Sequence, residues 1–279
     1  MLSISSKNKI IYLISPPRSL SVAFLRMMEA RGDFHIMHEP SVWAYNIHHN
    51  PWARSWFLDN APSTFSEVKK SIFDHACNEP VFVKEISFSV KNFIPSDMEF
   101  MQDPDIYFVF LMRKPHPTIV SFYRKIKDIK PSFYDCLSYK DFYDLIQATN
   151  THAAHRPLVL LTEDLYQNPE QTVKQFCDHV DIPFKPEALT WADLGEEFTG
   201  HEKWHEIKYK EITQIWHSDA IRSTGFGKPT QYDIDENGNP TFIEITNDEH
   251  RIACKRAYQE NMDFYAQIVQ QFVLIKKID

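Results

Sequence analysis

Short apolar runs alternate with segments of helical period along this chain, which predicts an α/β fold with a central, mainly parallel sheet flanked by helices. The pattern gives five βα repeats in order, as expected when crossover helices cover a parallel sheet.

The strands are expected at Lys9 to Ile14, Phe34 to Met37, Val81 to Lys84, Ile106 to Met112 and Leu158 to Leu161. Helices are expected at Ser19 to Ala30, Phe65 to Cys77, Pro117 to Lys127, Lys140 to His152 and Glu170 to Val180. Gly32 is placed to cap the first of them. Near the C-terminus, two short runs around Asp235-Glu236-Asn237-Gly238-Asn239 read as a hairpin over about residues 232–246, and an amphipathic helix over about 248–276 follows. With 279 residues, no internal repeat and no linker, residues 1–279 are read as one domain carrying that hairpin and helix.

Composition narrows the function. A net charge of −8 sets an overall field that repels nucleic acid and acidic membrane surfaces, so an anionic ligand must be held by local cations. The apolar run from Ile10 to Ile14 stops at Ser15-Pro16-Pro17, too short for a leader or a membrane span, and a cytoplasmic protein is expected. Cys77, Cys136, Cys177 and Cys254 form no CxxC pair, which fits reduced thiols. His35 and His38 have no partner at metal-ligand spacing, and no metal is called for.

The first expected strand runs straight into a Ser/Pro-rich turn and a helix, an arrangement that offers backbone N–H groups and the positive helix end to a phosphate. Arg18 adds a cation there, and Ser19 and Ser21 add hydroxyls. The turn lacks GxxxxGK[ST], so the lysine and magnesium-binding hydroxyl of an ordinary NTPase are missing from their places. A Pro-started helix with Ser19 as N-cap accounts for this stretch equally well on its own.

Pro17-Arg18-Ser19-Leu20-Ser21 resembles the 5′-phosphosulfate loop of P-loop sulfotransferases, commonly PRSGT, with Leu20 where glycine is usual and Val22 for a frequent hydroxyl residue. Three further stretches resemble that family in the same order. After Phe110-Leu111-Met112, Arg113 and Ser121 stand where sulfotransferases grip the donor's 3′-phosphate. The run Thr162-Glu163-Asp164-Leu165, continuing through Asn168-Pro169-Glu170 to Ile182-Pro183-Phe184, is similar to the family's strand end, turn and helix exit. Glu163 and Asp164 are read there as turn braces. Finally, Arg222 and Lys228 lie in a stretch similar to the late loop that closes over the nucleotide.

The resemblance covers roughly residues 9 to 228 and implies a three-layer P-loop fold. It implies 3′-phosphoadenosine 5′-phosphosulfate (PAPS) as donor, held by Pro17, Arg18, Ser19, Leu20, Ser21, Val22, Arg113, Ser121, Arg222 and Lys228, with no metal required. Glu39, after the second strand, is the expected general base, and His38 is its rival. Lys84, ending the third strand, is expected to stabilise the bridging oxygen unless it is simply paired with Glu85 or Glu39. Arg18 would share in the chemistry. The expected acceptor is a hydroxyl or amine of a small molecule or glycan, met by rings drawn from Trp43, Tyr45, Trp52, Trp56 and Phe57 with His48 and His49 between them. At least half of those rings are expected to be ordinary core. A homodimer is left open. The competing readings are an ATP-dependent small-molecule kinase with an atypical loop and a non-catalytic nucleotide-binding module.

Overall fold

The computed structural model describes residues 8–49, 54–55, 61–127, 131–195, 198, 210–228 and 232–273. Its centre is a five-stranded sheet of β1 (Ile10–Ser15), β2 (His35–His38), β3 (Val81–Ile86), β4 (Ile106–Met112) and β5 (Leu158–Leu161), in the order β2-β3-β1-β4-β5. Every pairing is parallel, so "mainly parallel" sharpens to wholly parallel among the described strands. β1 lies in the middle and is buried at all six positions, as a strand covered on both faces must be.

Alternate β1 residues feed two cores. Ile10, Tyr12 and Ile14 join Val68, Ile72, Phe100, Phe108 and Phe142 on one face, while Ile11 and Leu13 join Phe24, Leu25, Phe82, Phe176 and Trp191 on the other. The period-two side-chain alternation of a strand thus produces the helix-sheet-helix layering.

The crossover helices include α1 (Ser21–Arg31), α2 (Pro40–His49), α3 (Phe65–Ala76) and the short α4 (Ser87–Val90) and α5 (Met98–Met101). Beyond β4 come α6 (Pro115–Ile126), α7 (Tyr139–His152), α8 (Thr162–Gln167), α9 (Pro169–His179), α10 (Lys210–Ile221) and α11 (Asp248–Phe272). Gly32 does cap α1 in the left-handed region at φ 70, and a Thr64/Glu67 capping box starts α3. α11 packs on α6 and α7.

Some elements differ from the sequence reading. α6 starts two residues earlier, because Pro115 takes the first helical position, where a missing N–H costs nothing. The hairpin over about 232–246 reduces to one antiparallel bridge, Ile234 to Pro240. Asp235 closes its turn by accepting the N–H groups of Asn237 (2.9 Å) and Asn239 (2.7 Å). Pro240 has no N–H to extend a ladder.

Candidate active site

Strand ends on one edge of the sheet place two groups of polar side chains. The first surrounds the turn after β1. Pro16 and Pro17 are buried there, and Arg18 and Leu20 both adopt the left-handed region, at φ 65 and 66. Leu20, not Ser19, is the N-cap residue of α1, and it makes no side-chain capping bond. Helix capping therefore does not account for the turn. The place where the sulfotransferase loop usually carries glycine is a left-handed position, which glycine enters without steric cost and leucine does not.

The Arg18 guanidinium donates from Nε to Ser121 Oγ (3.1 Å) and from one terminal nitrogen to the Trp216 carbonyl (2.7 Å), and it pairs with Asp219 at 3.2 Å. Arg113 donates to the Arg18 carbonyl (3.4 Å) and to the Tyr232 hydroxyl (3.2 Å). Supporting bonds fix this group. The Tyr139 hydroxyl donates to the Arg113 carbonyl, Thr162 donates to the Ser19 carbonyl (2.8 Å), and Glu163 accepts the Lys114 N–H (3.1 Å). The sequence-predicted pair Arg113 and Ser121 thus converges with Arg18. Burial holds the Arg18 guanidinium below its ordinary range; Asp219 opposes this and the Arg113 charge adds to it.

Ser19 and Ser21 are buried in the turn, and the Ser15 and Ser19 hydroxyls make no hydrogen bond among the described residues. Buried hydroxyls in a turn that also carries Arg18 are suited to an anion's oxygens. Val22, half-buried, packs against the α1-side core instead. Arg222 and Lys228 are exposed in the stretch that follows α10.

The second group sits at the end of β2 and beside it on β3, which runs two residues past Lys84, the expected strand end, to Ile86. His38 and Lys84 are register partners, and the Lys84 ammonium donates to Glu39 Oε1. The Lys84 and Glu39 side chains are 1% and 9% exposed. Of the two carboxylates foreseen as partners of Lys84, Glu39 is the one bonded. Glu85 points away and accepts the Ser41 N–H (2.7 Å); burial pushes its carboxyl up to about 8, against the lowering effect of Ser41. His38 Nε2 lies 3.6 Å from Glu39 Oε1, and the His38 ring meets His217 of α10 edge to face at 4.8 Å between centroids.

His217 was not foreseen in the sequence, because α10 is separated from β2 by most of the chain and a lone His on a helix carries no spacing signal. The ligand atoms of His38, Glu39 and His217 lie within 4.8 Å of one another, a spacing that metal ligands can share. The Lys84 ammonium on Glu39 opposes a dication at that place.

Of the rings expected around an acceptor, Trp43 is packed with Val42, Ala61 and Ile86, and Tyr45 is stacked on His49 at 4.0 Å. Trp52, Trp56 and Phe57 lie outside the described residues.

Residues 8–235 match the sulfotransferase domain family. The chain belongs to that family. Sulfotransferases of this family use PAPS as their donor, and membership displaces the kinase reading. The sulfotransferase domain from the curacin biosynthetic pathway is 15% identical with a TM-score of 0.51, aligning 91% of this chain with 99% of that one. A sulfotransferase domain from the Synechococcus PCC 7002 olefin synthase aligns at 15% identity and a TM-score of 0.49, over 76% of this chain and 88% of its own.

Among curated sequences, branched-chain-amino-acid aminotransferase-like protein 2 of Arabidopsis thaliana is 24% identical over 229 residues, 80% of this chain and 37% of its own length. Protein 1 of the same name and organism is 25% identical over 231 residues, 80% of this chain and 38% of its own. The chain therefore spans less than half the length of these relatives. No described helix of the sulfotransferase is long and apolar enough to cross a membrane.

Proposed function

We propose that this sulfotransferase moves the sulfuryl group of PAPS to a hydroxyl or amine of a small-molecule or glycan acceptor, by in-line displacement at the edge of the sheet where β1, β2 and β3 end. One observation carries the reading. A single turn of α10 touches both polar groups, Trp216 and Asp219 meeting Arg18 while His217 meets His38. Arg18 and the His38–Glu39–Lys84 group therefore lie beside the same turn of α10, and in this reading donor and acceptor meet there.

In this account Pro17 to Val22 cradle the 5′ end of the donor, with Arg18 as its cation, and Arg113 and Ser121 take the 3′-phosphate. The acceptor oxygen forms its bond to sulfur as the bond from sulfur to the phosphate oxygen breaks. Negative charge grows on the leaving phosphate, and Arg18 and the turn's N–H groups stabilise it there. The acceptor proton goes to the carboxylate of Glu39, with His38 the rival acceptor beside it and His217 completing the cluster. Lys84, released from Glu39 as that carboxylate takes the proton, would meet the bridging oxygen. Neither step calls for a metal. Arg222 and Lys228 belong, in this account, to the late loop that closes over the nucleotide.

Calorimetric titration with 3′-phosphoadenosine 5′-phosphate (PAP) and with ATP tests the donor assignment. PAP is expected to bind, and Arg113→Gln to abolish its binding; binding of ATP alone would overturn it.

A further inference from the structure

Lys125 has no part in the account above, yet it lies four residues beyond Ser121 on α6, on the same face of that helix. Its ammonium stands 3.8 Å from the Asp219 carboxylate that also pairs with Arg18 at 3.2 Å, and it donates to Ser218 Oγ at 3.3 Å. The burial of the three groups is uneven. The Arg18 and Lys125 side chains are 18% and 17% exposed, whereas Asp219 is 76% exposed.

Two largely buried cations thus share one carboxylate, which stands at an exposed position of α10. In an ordinary surface pair all partners are wet. Here the cations repel each other and are held by hydrogen bonds to Ser121, the Trp216 carbonyl and Ser218, so the position between them favours an anion whichever molecule supplies it. Burial lowers the Lys125 ammonium from its ordinary range, Asp219 opposing and Arg18 adding to the effect.

We propose that Lys125 is a further cation of the donor site, and that Asp219 occupies the place of a donor phosphate or sulfate oxygen until the donor displaces it. The proposal rests on the donor-site reading above. It makes α10 a helix whose own carboxylate competes with the ligand, so that a bound nucleotide frees the helix edge that carries Asp219.

Calorimetry of the intact chain with PAP distinguishes the parts. Lys125→Gln is expected to weaken PAP by about tenfold, and Lys125→Arg to restore most of the loss. Asp219→Asn, at an exposed position, is expected to tighten PAP by about threefold, which loss of a merely structural ion pair would not do. If Arg113→Gln abolishes binding while Lys125→Gln leaves it within twofold, the Lys125 assignment is overturned. Unchanged or weaker binding by Asp219→Asn overturns the displacement. If Arg18→Gln and Arg113→Gln also bind PAP as the parent does, the donor-site reading falls and this proposal with it.

Discussion

The Lys84 ammonium of β3 is bonded to the carboxylate of Glu39, the residue after β2, and the two side chains are buried together. Two opposite charges removed from water hold each other in place, and neither is well tolerated alone. The first prediction follows from this. Lys84→Met is expected to lower stability by about 3–5 kcal/mol, and the double change Lys84→Met with Glu39→Gln to recover a large part of it. Urea denaturation of the four proteins in that cycle gives the answer.

Glu39→Gln keeps the shape of the side chain but cannot take a proton from the acceptor. Sulfation is expected to fall by about 10²–10⁴-fold, with PAP affinity within twofold of the parent. His217→Ala should likewise lower the rate without weakening PAP, by about tenfold, since the residue faces His38 rather than the phosphate cations. Rate measurements alongside PAP titrations separate these effects from a loss of donor.

Leu20 caps α1 with φ 66, where a Cβ is crowded by the backbone. Leu20→Gly is expected to stay within about 1 kcal/mol of the parent, relief of that crowding offsetting the lost packing of a half-buried side chain. Leu20→Val, branched at Cβ, is expected to cost about 1–2 kcal/mol. Thermal unfolding of both variants checks the pair.

Glu85 gives a pH dependence. Its folded-state carboxyl is pushed up to about 8 from an ordinary value of 4.5, so the native state keeps a proton that the unfolded chain has lost. Between those values the native state binds more protons, and stability falls as pH rises, by about 1.4 kcal/mol per pH unit from this group alone. Above about 8 the slope from Glu85 vanishes. Glu85→Gln, which imitates the protonated form and can still accept the Ser41 N–H, should flatten the decline in denaturation curves taken between pH 5 and pH 8.

Much of the fold was legible because a buried parallel strand needs an uninterrupted apolar run. Ile106–Met112 and Leu158–Leu161 were found to the residue for that reason. The Asp235–Asn239 turn was also visible, since its Asx and glycine chemistry is local, but the ladder expected around it was not built, as Pro240 cannot donate. In the site, Arg18, Arg113 and Ser121 could be picked out because the order of motifs ties strand ends to the residues that follow them. The stretch from Phe198 to Ser223 reads in the sequence as irregular or helical, and what stayed hidden was where α10 lies. Lys125, His217 and Asp219 gain meaning only when a helix distant in sequence meets Arg18 and His38, and no local pattern announces that contact. The αL geometry of Leu20 was hidden for a related reason, since leucine gives no signal for a conformation that glycine would have advertised.

The most direct test is a transfer assay with PAPS radiolabelled at sulfur, a panel of alcohols and amines, and the parent beside Arg18→Gln and Glu39→Gln. The account predicts label on at least one acceptor with stoichiometric PAP, lost in both variants. Labelled product formed equally by the parent and both variants would contradict it.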